Sequence, residues 1–189
     1  MRTVSIATLC LFLVSGTQAA HPQKRDHDSL ANQALGKPAI IGAGVGATVR
    51  QIANRPHEWG RGPAGFGRRL GSAMGTHVVR SSVQFGVATV RHEDLKYYPS
   101  GKQGFGPRMK HALLSTVVAR KTTDGRPTMA TGRVSGAVAG GFVSRLWQPA
   151  RLRTVSSGLA TSGIALGADA GANAVREFWP EIRHPRRRR

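Results

Sequence analysis

Small and apolar residues recur at helical spacing in five stretches of the chain, each bounded by proline, glycine or a short polar run. The clearest stretch runs from Thr154 to Trp179. Gly163, Gly167 and Gly171 return every fourth residue there, so on a helix they form one ridge without side chains. Ala160, Ala174 and Phe178 fall on or beside the ridge, while Ser162, Asp169, Asn173 and Arg176 gather on the opposite side. Glycine costs a helix about 1 kcal/mol relative to alanine. Three in register therefore predict the close approach of another backbone, as in small-xxx-small packing. The same spacing appears at Gly67, Gly71 and Gly75, at Gly132, Gly136 and Gly140, and in shorter form at Gly42 and Gly46.

The pattern predicts a first helix from Pro38 to Asn54, starting on a proline whose missing N–H does no harm there. Arg55-Pro56 stops it. A second helix is predicted over Pro63 to Glu93, with His77, Arg80, Gln84 and Arg91 as a polar stripe. A turn-rich loop, Asp94 to Gly106, leads to a third helix over Pro107 to Arg120. Thr123 to Pro127 reads as a strong turn. The fourth helix, Met129 to Trp147, ends at Gln148-Pro149, and the fifth, the opening stretch, is closed by Pro180. Gly65-Phe-Gly-Arg-Arg-Leu and Gly104-Phe-Gly-Pro-Arg-Met echo one another at a constant offset, which hints at duplication but falls short of a solenoid. Strand patterns are weak throughout. The expected fold is an all-α bundle of about five helices packed through glycine ridges.

The N-terminus changes the picture. Arg2, the apolar run Val4 to Val14 and the small residues Ser15 to Ala20 make a secretory signal peptide, too short for a membrane span. The expected organisation is a signal peptide over 1–20, a polar disordered tether over 21–37, the helical domain over 38–180 and a basic tail over 181–189. Cys10 is the one cysteine and lies in the signal peptide, so the mature chain is expected to carry no disulfide, thiolate metal site or cysteine nucleophile.

Charge adds a partner class. Lys and Arg total 28 against nine acids, a formal charge of +19. Such an excess favours an anionic membrane surface or nucleic acid, although arginine-rich coding produces it equally well. No nucleic-acid-binding motif supports the second partner, and aromatics are only 6% of the chain. Arg186, Arg187, Arg188 and Arg189 are the expected contacts to an anionic surface. No mature segment has the roughly 18 consecutive uncharged apolar residues of a membrane span. Even so, glycine ridges gain most in lipid, and Leu and Ile are sparse, so a membrane-associated bundle is favoured over a freely soluble one. The ridges also make homo-oligomers feasible. Trp59, Trp147 and Trp179 stand at helix ends, where indoles anchor at membrane interfaces or cap a small core.

Candidate chemistry is thin. His92-Glu93-Asp94 is the densest donor cluster, but at a helix end it reads as solvated turn residues, and no metal-binding spacing is present. No metal, cofactor or small-molecule substrate is expected. Ser, His and Asp lack any nucleophile context, and no glycine-rich segment ends in GK[ST] as a phosphate loop would. The expectation is a protein without enzymatic activity. Asp169 stands alone among small residues on the fifth helix and must find a cation or be neutralised. Arg80 is the leading partner and Arg133 the second, in a salt bridge that fixes helix register.

The stretches HEWGRGPAGFGRRLGSAMGTHVVR, RHEDLKYYPSG and NAVREFWPEIR together resemble a group of exported bacterial proteins of unknown function. The resemblance spans most of His57 to Arg183. It implies no activity, and it favours a bacterial export route, with a periplasmic or envelope-bound location.

Overall fold

The structure, a computed structural model, describes residues 36–183. The signal peptide, nearly all of the tether, and Arg186, Arg187, Arg188 and Arg189 lie outside the described residues. Five helices appear among those described: α1 (Lys37–Ile52), α2 (Pro63–Arg91), α3 (Phe105–Leu114), α4 (Thr131–Val143) and α5 (Val155–Arg183). Single 3-10 turns occupy His57–Trp59, Ser144–Trp147 and Ala150–Leu152. α4 is the central helix, packed on α2 along one side and on α5 along another. α1 covers α2, and α3 lies on α5.

The fold is mainly helical, but it is not purely α. A small antiparallel sheet runs β1 (Glu93–Asp94), β2 (Val118–Lys121), β3 (Pro127–Met129), with Asp94 opposite Arg120 and Ala119 opposite Thr128. The third helix, expected to reach Arg120, stops at Leu114. The next residues are Ser115-Thr116-Val117-Val118, and β-branched residues lose side-chain freedom in a helix and gain packing in a strand. Gly125, at φ +69°, then turns the chain between β2 and β3. Pro180, expected to close the fifth helix, instead lies inside α5, which continues to Arg183. Arg108 on α3 bridges the proline by donating to Glu177 on one side and Glu181 on the other.

The three glycine ridges meet different fates. Gly132, Gly136 and Gly140 face the α2 backbone. A Cβ there would stand 2.8 Å from the Gln84 carbonyl oxygen, 2.7 Å from that of Arg80 and 3.2 Å from that of Thr76, respectively. Gly141 lies equally close to Gly158 and Ser162 on α5. The other ridges depart from expectation. Gly163, Gly167 and Gly171 have nothing within 4 Å of a would-be Cβ, nor do Gly67 and Gly71, while Gly75 faces the Trp147 indole at 3.5 Å. The reason is rotational: α5 turns Ser162, Asn173 and Glu177 inward, which carries its glycine ridge to the outside.

Burial reflects that close packing. Among the described residues, proline and glycine aside, the buried apolar side chains are alanines, among them Ala39, Ala43 and Ala47 on α1, Ala88 on α2 and Ala137 on α4. The larger aliphatics point outward: Ile41, Val45, Val49 and Ile52 on α1, and Leu159, Ile164 and Val175 on α5. Gly136→Leu is therefore expected to cost at least the roughly 1–3 kcal/mol of an overpacked core. Gly167→Leu, at an open position inside a helix, is expected to lose nothing and to gain up to about 1 kcal/mol from the better helix former. Denaturant unfolding of both variants measures this; equal losses would show that α5 buries its ridge after all.

Candidate functional site

The polar side chains that α5 turns inward meet the polar stripe of α2 across a cleft of about 730 Å³. His77, Arg80 and Gln84 supply one wall, Asp169, Asn173 and Arg176 the other, and Arg133 of α4 reaches in between. Helical spacing accounts for both walls, because residues three, four and seven apart share a face. Within the cleft the Arg80 guanidinium donates to the Asp169 carboxylate, and both side chains are largely buried. Arg133 takes a different role. It donates to the backbone carbonyl of Leu95 (3.2 Å), just after β1, and to those of Ser115 and Thr116 (3.1 Å), just past the C-terminal end of α3. A cation is favoured there by the helix dipole. Burial lowers the pKa of Arg133 from its ordinary value, and the Asp169 charge opposes that shift.

Three further buried charges escaped the sequence. Arg69 is 0% exposed. Its guanidinium meets five acceptors: Arg55 O, Gln51 Oε1, Gly60 O, Asn54 Oδ1 and Pro56 O. None is charged; Gln51 belongs to the last turn of α1, and the other four acceptors come from the segment between α1 and α2. Glu93, expected to be a solvated turn residue, is buried instead. It accepts from Gly132 N at 2.8 Å and from Thr131 N at 3.2 Å, capping α4 from the neighbouring strand. The exposed N-terminal amides of α4 are what draw it in.

Glu177 is the third, at 2% exposure. Its carboxylate accepts from Tyr97 Oη (2.6 Å), Ser100 N (3.0 Å), Ser100 Oγ and Arg108 Nε (3.2 Å). Burial alone would raise this carboxyl. The hydrogen bonds from Ser100, Tyr97 and Arg108 outweigh it and hold the pKa at about 2. Tyr97 moves the other way, raised by burial and by its bond to Glu177. One signal in the sequence did point here: Arg69 and Arg108 occupy the same place in the two GFG echoes, and each clamps the loop or helix beside it.

Among the described residues no three His, Cys, Asp or Glu side chains stand together as a metal site. Compared with known proteins, the chain matches no family model, no curated protein and no solved structure.

Asp169→Asn combined with Arg80→Gln in a double-mutant cycle is expected to show a coupling of about 1–3 kcal/mol, between an exposed pair and a fully buried one. Coupling near zero would mean that the pair contributes nothing to register. Glu177 supplies an acid limb to stability. Its folded pKa lies below the ordinary 4.5, so its contribution is complete above about pH 4.5 and is lost as pH falls towards 2. Melting temperature measured from pH 5 to pH 2 should therefore drop less steeply in Glu177→Gln than in wild type, from a lower starting value. Parallel slopes would remove Glu177 from the acid response.

Proposed function

We propose that the chain is an exported helical protein without enzymatic activity that lies in or against a cell-envelope membrane. The observation that carries this reading is where charge sits. Between Lys37 and Arg50, α1 has no charged residue. Between Arg69 and Arg91, the ionisable residues of α2 are His77 and Arg80, both turned into the cleft. Between Arg153 and Arg176, the charge on α5 is Asp169, also in the cleft. The outer faces of these helices are thus uncharged and carry exposed Ile41, Val45, Val49, Ile52, Ile164 and Val175. Arginines crowd the loops and helix ends instead.

Such a surface is costly in water when it is continuous, and lipid removes that cost. The flanking arginines then meet anionic headgroups, worth about 1 kcal/mol each near the surface. No helix among the described residues is long and apolar enough to cross a membrane. The association proposed is therefore lateral or interfacial, as for helices that bury one apolar face at the headgroup boundary. The outward ridge Gly163, Gly167 and Gly171 offers a second copy of the chain a close helix contact within the same layer. Trp179, exposed at the end of α5, is placed to sit at such a boundary.

Fractionation of the expressed protein tests the reading. Retention in the membrane fraction through a carbonate wash is the expected result, with partial release by high salt as headgroup contacts are screened. Complete recovery in the soluble fraction at low salt would overturn it. Quantitative release by salt alone would favour a cationic module for anionic polymers such as nucleic acid or acidic glycan. Removing Pro185 to Arg189 is expected to weaken binding to anionic vesicles by at most roughly 1 kcal/mol per arginine, with thermal unfolding unchanged. A marked fall in melting temperature on truncation would make the tail part of the fold.

A further inference from the structure

Away from the polar cleft, a second cavity of about 670 Å³ opens between the end of α1, the loop after it, the 3-10 turns and the first half of α5. Arg50, Arg55, Arg61, Arg145 and Arg151 line it, and no carboxylate does. Glu58, next in the chain to the lining residue His57, is already engaged by Arg151 at 3.0 Å. Arg50 and Arg145 are the half-buried members, and their bonding is incomplete. The Arg50 guanidinium makes no hydrogen bond or ion pair with a described residue. Arg145 donates from Nη2 to Ser144 Oγ (3.1 Å) and Thr161 Oγ1 (3.0 Å), and from Nη1 to Leu152 O at a long 3.4 Å. Its buried Nε has no acceptor among the described residues.

The other buried arginines among the described residues are well supplied with acceptors. Arg69 has its five, Arg108 has two carboxylates, Arg80 has Asp169, and Arg133 has three carbonyls. Unmet donors and unbalanced positive charge are thus concentrated in this one cavity. Burial lowers the pKa of both Arg50 and Arg145, and the Arg50 charge lowers Arg145 further. Two partly desolvated like charges without a counter-charge are destabilising by themselves. A tetrahedral oxyanion reverses this, because it supplies acceptors in the planar geometry that guanidinium donors prefer.

We propose that this cavity is a binding site for a phosphate-type oxyanion, held between Arg50 and Arg145. The exposed Arg55, Arg61 and Arg151 add a positive field that draws anions in. A free phosphate and the headgroup of an anionic phospholipid share the required chemistry. Ile164 lines the same cavity and is exposed on the uncharged face of α5, which favours the headgroup. The site stands on its own donors and does not depend on the membrane reading.

The test uses the full chain. Phosphate stabilises many proteins by exclusion from their surface, so the informative quantity is the difference between wild type and Arg50→Gln. Isothermal titration with inorganic phosphate at constant ionic strength should show saturable binding to wild type. Arg50→Gln should weaken it about tenfold or more, the size of one lost charge-assisted bond. Its melting temperature without phosphate should equal or exceed that of wild type, since a repulsion has been relieved. Arg68→Gln, an exposed arginine outside the cavity, should bind phosphate as wild type does. Vesicles containing phosphatidic acid form the second arm. A drop in vesicle binding with Arg50→Gln, without measurable affinity for free phosphate, would assign the site to a lipid headgroup. Equal behaviour of wild type and Arg50→Gln towards both probes would overturn the proposal. Vesicle binding that persists unchanged in Arg50→Gln would still leave the membrane reading standing, so the two failures are distinguishable.

Discussion

The close approach of α4 to α2 is the constraint on which the rest of the molecule depends. Gly132, Gly136 and Gly140 bring the two backbones so near that a methyl group in their place would press on carbonyl oxygens. At that separation no room remains between the helices for leucine or isoleucine. The interior is therefore filled by alanine, by glycine and by polar side chains that thread between backbones. Dispersion contacts between closely packed main chains replace much of the aliphatic burial that a soluble bundle ordinarily relies on.

A polar interior has to satisfy its own donors and acceptors, and this one does so with helix ends. Arg69 lies against the carbonyls beyond α1, Arg133 against those beyond α3, and Glu93 against the amides that open α4. Glu93 thus satisfies amides that the start of α4 leaves unpaired, while Arg69 and Arg133 satisfy carbonyls of the segments that follow α1 and α3. Glu177 does the same work for the loop around Tyr97 and Ser100, with Arg108 as its cation. These clamps join segments far apart in the chain, and they locate the loops that bring arginines to the ends of the bundle. At one such end Arg50 and Arg145, with three more arginines, line the second cavity.

With alanine inside, the aliphatic side chains have nowhere to go but out. That inversion links packing to the proposed role, because an uncharged belt bordered by arginines matches a bilayer's own profile of apolar layer and anionic surface. Hydrogen-bonded charges and backbone proximity define the register of the bundle, and the outer aliphatics are left exposed.

Local chemistry in the sequence determined where helices begin and which faces could pair. Proline at the start of α2, the turn around Gly125 and the four-residue glycine spacing all act within a few residues, so they are legible without a structure. The pairing of Asp169 with Arg80 was also within reach, because a lone acid among small residues needs a cation and few were offered. Only the tertiary structure decided which glycine ridge is buried. Three ridges have the same spacing, and spacing carries no information about which way a helix is rotated on its neighbours. That rotation goes with Ser162 packing against Gly141 of α4, Asn173 donating to Thr116 and Glu177 accepting from Tyr97, Ser100 and Arg108, contacts between residues well separated along the chain. The same holds for Arg69 and Glu93, whose burial depends on helix ends brought beside them by the fold, and for β2, where a run read as helix gains more from pairing with β1 and β3 than from another turn of α3.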